Sequence, residues 1–127
     1  MKYLQGFILF VSFLFVSCGN QETKHTLSEV ERCICEHPDK ALETLRGMDQ
    51  SALGTKKQRA RYALLHAMAL DKNFIDTTDV SVIMSAVDYY KRHGSPDEKL
   101  KTHFYLGRIY LNAHRFEKAA YEYALAE

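Results

Sequence analysis

The sequence predicts an all-α chain of antiparallel helix pairs, and three observations carry that prediction. Between Leu100 and Glu127 apolar residues recur at helical spacing in two stripes. Phe104, Leu106, Ile109, Tyr110 and Ala113 form the first, and Phe116, Ala119, Ala120 and Tyr123 the second. The break between them, Asn112-Ala113-His114, is too short for anything but an antiparallel return. Two prolines in 127 residues, with heavy use of Leu, Ala, Tyr, Glu and Lys, favour helix over sheet. Finally, Ser95-Pro96-Asp97-Glu98 joins an N-cap serine, a proline at the first helical position and a glutamate at the third, the strongest local helix start in the chain.

Taken in order, Met1 to Ser17 is a short basic start (Lys2) followed by an apolar run from Phe7 to Val16, interrupted only by Ser12. Ten helical residues cover about 15 Å, half a bilayer core, so this is the apolar segment of a leader rather than a spanning helix. The run ends Phe15-Val16-Ser17-Cys18-Gly19. It resembles the lipobox of bacterial lipoproteins, in which a peptidase cuts before a lipid-modified cysteine; Phe15 stands where leucine is usual. The resemblance implies a signal peptide over 1–17, lipidation at Cys18 and a membrane contact through its acyl chains. It also implies a lipid-anchored protein of the bacterial cell envelope, with Gly19 pointing to the outer membrane. An ordinary secretory leader with an incidental Cys18 is the other reading of the same residues. Polar residues from Gly19 to His25 make 18–25 a flexible tether, ahead of a helical domain over 26–127.

Thr26 and Glu29 match a capping box that opens a helix over Leu27 to Glu36, with Leu27, Val30, Cys33 and Ile34 apolar. Pro38 ends it and serves as the first residue of the next, running to Arg46, with Ala41, Leu42 and Leu45 inward and Gly47 as its C-cap. Asp49 to Thr55 is a loop. A helix over Lys57 to Lys72 follows, then an extended insertion, Asn73 to Thr78, and a partner helix over Asp79 to His93 that closes at Gly94. With the two C-terminal stripes the count is six helices in three pairs.

Leu106-Gly107, Tyr110, Ala119, Tyr123 and Ala126 give this pattern a family resemblance. The stretch resembles a tetratricopeptide repeat (TPR), a helix pair of about 34 residues with Leu-Gly, Tyr, Ala, Phe and Ala at these offsets. Tyr123 replaces the usual Phe and His103 the usual Trp or Tyr. A glycine in an exposed helix costs about 1 kcal/mol relative to alanine, so Gly107 marks close approach of the second helix, with Ala119 as its matching small surface. The preceding repeat is placed by setting Gln58 opposite Leu100, and Leu65 then replaces the glycine. The proline expected near the repeat's end would fall beyond 127, so the last repeat is incomplete and the chain reads as the N-terminal fragment of a longer protein. The resemblance implies helix pairs stacked as a right-handed TPR-like solenoid.

No arrangement of residues points to catalysis. Cys33 and Cys35 lie about 200° apart on a helix, and with His37 they offer three metal ligands that cannot share an ion. Cys33 reads as a core thiol and Cys35 as a surface one. Six histidines sit in six different segments, and there is no phosphate-cradling glycine loop or paired buried carboxylate. No cofactor or metal is expected. A net charge of +1 gives no reason to expect nucleic acid, and Lys56, Lys57, Arg59 and Arg61 read as a solvated face.

In TPR proteins the first helix of each pair lines a concave groove. The resemblance carries that role onto Lys101, Phe104, Arg108 and Asn112, and onto Arg59, Tyr62 and His66 in the preceding pair. It implies a membrane-anchored protein–protein interaction module, without catalysis, that grips a protein or peptide partner through charged hydrogen bonds and aromatic contact. The alternative is the sensory N-terminal region of a bacterial signalling or transcription-regulating protein, its effector lying beyond residue 127.

Overall fold

The computed structural model describes residues 20–127, so Cys18, the leader and the lipobox lie outside the described residues. Among the described residues the chain is all-helical. Six α-helices follow one another: α1 (20–33), α2 (Pro38–Gly47), α3 (Lys56–Lys72), α4 (Met84–His93), α5 (Pro96–Asn112) and α6 (Phe116–Leu125).

Helix α1 departs from the expected start. It already runs at residue 20, so 20–25 is ordered helix rather than tether, and Thr23 is buried. Thr26 is no N-cap: its hydroxyl donates to the Glu22 carbonyl one turn back (3.0 Å), and Glu29 pairs with Arg32 instead of reaching the backbone. The apolar stripe was legible, since Leu27, Val30 and Ile34 are all but fully buried. Residues 20–25 look like a tether because most of their side chains do face water; packing below α1, not composition, keeps them helical.

The other helix starts follow local chemistry. Pro38 opens α2, and Ser95 and Glu98 close a full capping box at α5 (2.9 and 3.2 Å). At α3, Thr55 accepts from the Gln58 N–H (3.1 Å). Asp79 caps a 3-10 turn, Val80–Val82, rather than α4 itself, which begins at Met84. Gly94 caps the end of α4 as expected, whereas Gly47 is the last residue of α2 and Met48 its C-cap; neither glycine adopts a left-handed backbone. The left-handed residues are Phe74 and His114, each at φ 58. Both occupy the residue after the helix end where glycine is usual. Phe74 N–H reaches the Asp71 carbonyl and Ile75 N–H the Leu70 carbonyl; His114 and Arg115 repeat that pair of bonds to Leu111 and Tyr110. A left-handed non-glycine costs about 1 kcal/mol, and α3 and α5 carry one each.

Contacts along the helices set their directions. Asn20 meets Gln58 where α3 starts, and Asn73 Nδ2 bonds the Pro38 carbonyl where α3 ends, so α1 and α3 run the same way. Arg108 meets Asp71, aligning α5 with them. Between α5 and α6, His103 faces Glu122 while Tyr110 faces Lys118, an antiparallel pair. Helices α3 and α4 pair in the same sense, and Tyr62 donating to Leu45 O (3.1 Å) ties α2 back across α3. The core sits around α3, nine of whose 17 residues are buried.

Gly107 is a point of close approach, though not to Ala119. A Cβ there would lie 2.8 Å from the Tyr123 ring. Ala119 is also buried, but the side chain that takes up the space left by the missing methyl group is Tyr123.

Candidate functional site

Helices α3 and α5 are structural repeats of one another. Each spans 17 residues, each opens on a Ser or Thr whose hydroxyl accepts from the third helical N–H, and each closes on the left-handed turn. Thr55 matches Ser95, Lys72 matches Asn112 and Phe74 matches His114, so the offset is 40 residues. The placement of Gln58 opposite Leu100 is therefore two residues out. At the observed offset Arg61 matches Lys101, Leu65 matches Tyr105, and Ala67 supplies the small residue opposite Gly107.

This shift redraws the groove. Side by side, α1, α3 and α5 enclose a hollow of about 240 Å³. Ile34, Leu64, Met68 and Tyr105 supply its apolar lining, and Arg61 and Lys101, matched residues of the two repeats, stand at its charged rim. Arg61 pairs with Glu31 of α1 and bonds the Ser28 hydroxyl (3.2 Å). Lys101 pairs with Asp97 (2.7 Å), a bond that favours its charged form. Tyr90 reaches in from α4, its phenol pushed well up by burial and then by the Glu98 carboxylate to which it donates. Cys35 lines the same hollow as an exposed free thiol, while Cys33 is half-buried with its thiol on the Val30 carbonyl (3.6 Å).

The seven groove residues expected from sequence do not share one surface. Lys101 lines the hollow. Arg108 lies on the same side of α5, where its Nε donates to Asp71 (2.8 Å) and straps α5 to α3, while Asn112 donates to the Thr77 carbonyl (3.1 Å). Phe104 turns instead toward α6, its ring 5.7 Å from that of Tyr123. Arg59, Tyr62 and His66 line a different hollow, shared with Leu53, Val82 and Ser85 on the α4 side of α3. There Tyr62 is buried, and Arg59 donates to the Leu53 carbonyl (2.9 Å). Burial, reinforced by Arg46, lowers the pKa of His66.

Arg61 and Met68 line the hollow without having been expected there. The signal was present: Thr55-x-x-Gln58 and Ser95-x-x-Glu98 are the same helix start 40 residues apart, and cap geometry fixes repeat register more tightly than one Leu-Gly pair. Among the described residues no group of three or more His, Cys, Asp or Glu side chains is placed to hold a metal. No described helix is long and apolar enough to cross a membrane. Comparison with protein-family models, with curated proteins and with solved structures finds no match to this chain.

Proposed function

We propose that the chain is a TPR-like helical array, lipid-anchored at Cys18 in a bacterial cell envelope, that binds a protein partner in the groove of α1, α3 and α5 and carries out no chemistry. The observation that supports this most is the hollow's make-up. An apolar floor of Ile34, Leu64, Met68 and Tyr105 is bordered by two ion pairs, Arg61 with Glu31 and Lys101 with Asp97, whose cations hold equivalent positions of a 40-residue repeat. A peptide laid across parallel helices meets the same chemistry at regular intervals, with apolar anchors below and charge-assisted hydrogen bonds at the edges. The unlike offsets of the two second helices, caused by the insertion between α3 and α4, agree with an irregular rather than an ideal array. Cys35 offers a direct test. A photo-crosslinker attached to its thiol yields a discrete adduct in envelope extracts, and Arg61→Glu removes that adduct while circular dichroism stays unchanged. An adduct of equal yield in the variant counts against the groove.

A further inference from the structure

Four permanent cations converge at one end of the bundle, away from the groove. Lys56 and Arg59 in the first turn of α3, and Lys91 and Arg92 in the last turn of α4, line one hollow with Tyr89 and the single carboxylate of Asp88. Antiparallel packing brings together two basic stretches that are about 30 residues apart in sequence. Among the described residues none of the four forms an ion pair; the ion pairs all lie elsewhere. Helix electrostatics accounts for only half of the cluster. Lys91 and Arg92 complement the negative end of α4, but Lys56 sits at the positive end of α3, where a cation is unfavourable.

The described chain begins at the same end. Gln58 Nε2 donates to the Asn20 side chain, and Gln58 is the neighbour of Arg59. Helix α1 is already formed at residue 20, so Cys18 lies two residues from it, a reach of at most about 7 Å. An α-helix with its side chains is about 10–12 Å across, so an anchor at Cys18 would stand beside the basic cluster. Attraction to an anionic surface decays within about 8–10 Å at physiological salt, so the cluster acts when the end of the bundle that carries the start of α1 faces the headgroups.

Resting on the reading of Cys18 as lipid-modified, we propose that Lys56, Arg59, Lys91 and Arg92 form a docking surface for an anionic bilayer. The bundle then presents the α3–α4 hollow to the headgroups; Asp97 and Glu98, in the first turn of α5 at the same end, are held by Lys101 and by the Ser95 N–H, and the groove of α1, α3 and α5 stays open at the side. The surface is built by α3 and α4 alone, so it acts on lipid whether or not a partner occupies the groove.

Vesicle partition of the full chain tests this. One set of vesicles is phosphatidylcholine alone, and the other contains about 30 % phosphatidylglycerol, both at about 0.1 M salt. An apolar leader inserts into both kinds alike, so the ratio reports charge. The wild-type chain is expected to favour the anionic vesicles roughly tenfold or more, with the preference shrinking as salt rises. Arg59→Glu, Lys91→Glu and Arg92→Glu combined abolish the preference. Lys40→Glu, Lys72→Glu and Lys118→Glu combined, an equal change of net charge elsewhere, leave most of it. Equal partition of the wild type into both vesicles, or equal loss in the two triple variants, overturns the proposal. Lipidation is read separately, by incorporation of labelled palmitate and its loss in Cys18→Ser, so failure of the anchor and failure of the docking surface give different results.

Discussion

Helices α3 and α5 begin alike, end alike and have the same length, yet they occupy different environments. Helix α3 runs through the middle of the molecule, with α1 and α2 on one flank and α4 and α5 on the other. Helix α5 packs on α3, α4, α6 and the Val80–Val82 turn. Matched positions show the consequence. Ala60 is completely buried while Leu100 is 47 % exposed, and Leu64 is 6 % exposed against 40 % for Phe104. The larger side chain sits on the less covered helix in both cases. A repeated helix keeps its caps, which are local, while its faces are rewritten by whatever lies against them.

Truncating matched positions should expose that difference most strongly. Leu64→Ala removes a buried side chain from the floor of the hollow and is expected to cost about 3 kcal/mol in chemical unfolding. Phe104→Ala removes a half-exposed ring whose aromatic neighbours are Tyr105 and Tyr123, for about 1 kcal/mol. Equal losses would mean that the flanks of the two helices are equivalent after all.

The small residues that match, Ala67 and Gly107, sharpen the comparison at a smaller scale. Gly107→Ala should destabilise by about 1 kcal/mol, because the new methyl group meets the Tyr123 ring. In a Tyr123→Ala background the same substitution should stabilise by about 1 kcal/mol, leaving only the helix propensity of alanine over glycine. A double-mutant cycle on unfolding free energies checks the change of sign. Were both backgrounds to respond alike, Tyr123 would not be the reason for the glycine.

The smallest effect separates His66 from its match, Leu106. Burial and Arg46 hold the His66 pKa below the ordinary 6.5, so the unfolded chain takes up a proton that the folded chain refuses. Stability from this residue is intact above about pH 6.5 and is lost as pH falls from there toward the lowered folded value. His66→Leu copies the α5 residue and should flatten that part of the profile. Urea unfolding of both chains at pH 7.5 and pH 5 reads the difference; identical slopes would remove His66 from the account.

Legibility tracked the range of the interaction. Ser95-Pro96-Asp97-Glu98 announced α5, and the apolar stripes of α1, α2 and α3 were visible as periodicity. Residues 20–25 were read as tether because a solvent-facing helix turn has the composition of a linker. The groove was only partly legible. Lys101 lines the hollow of α1, α3 and α5, but an offset of 42 taken from the Leu-Gly pair rotates α3 by about 200°, which carries Arg59, Tyr62 and His66 to the opposite flank and hides Arg61 and Met68. Nothing near Asp71 in sequence marks its role, because its partner, Arg108, lies 37 residues away.

Local sequence was enough to mark the starts of α2, α3 and α5 and the apolar side of α1, α2 and α3. Caps and stripes depend on neighbours within one or two turns, and a reader needs no third dimension to see them. Tertiary structure alone decided which sides meet: Tyr123 against Gly107, Arg61 with Lys101 around one hollow, and Lys56 and Arg59 beside Lys91 and Arg92. These contacts join residues from about 16 to 40 apart in the chain, and their strength comes from shape and charge brought together by packing, for which no single stretch carries a signal.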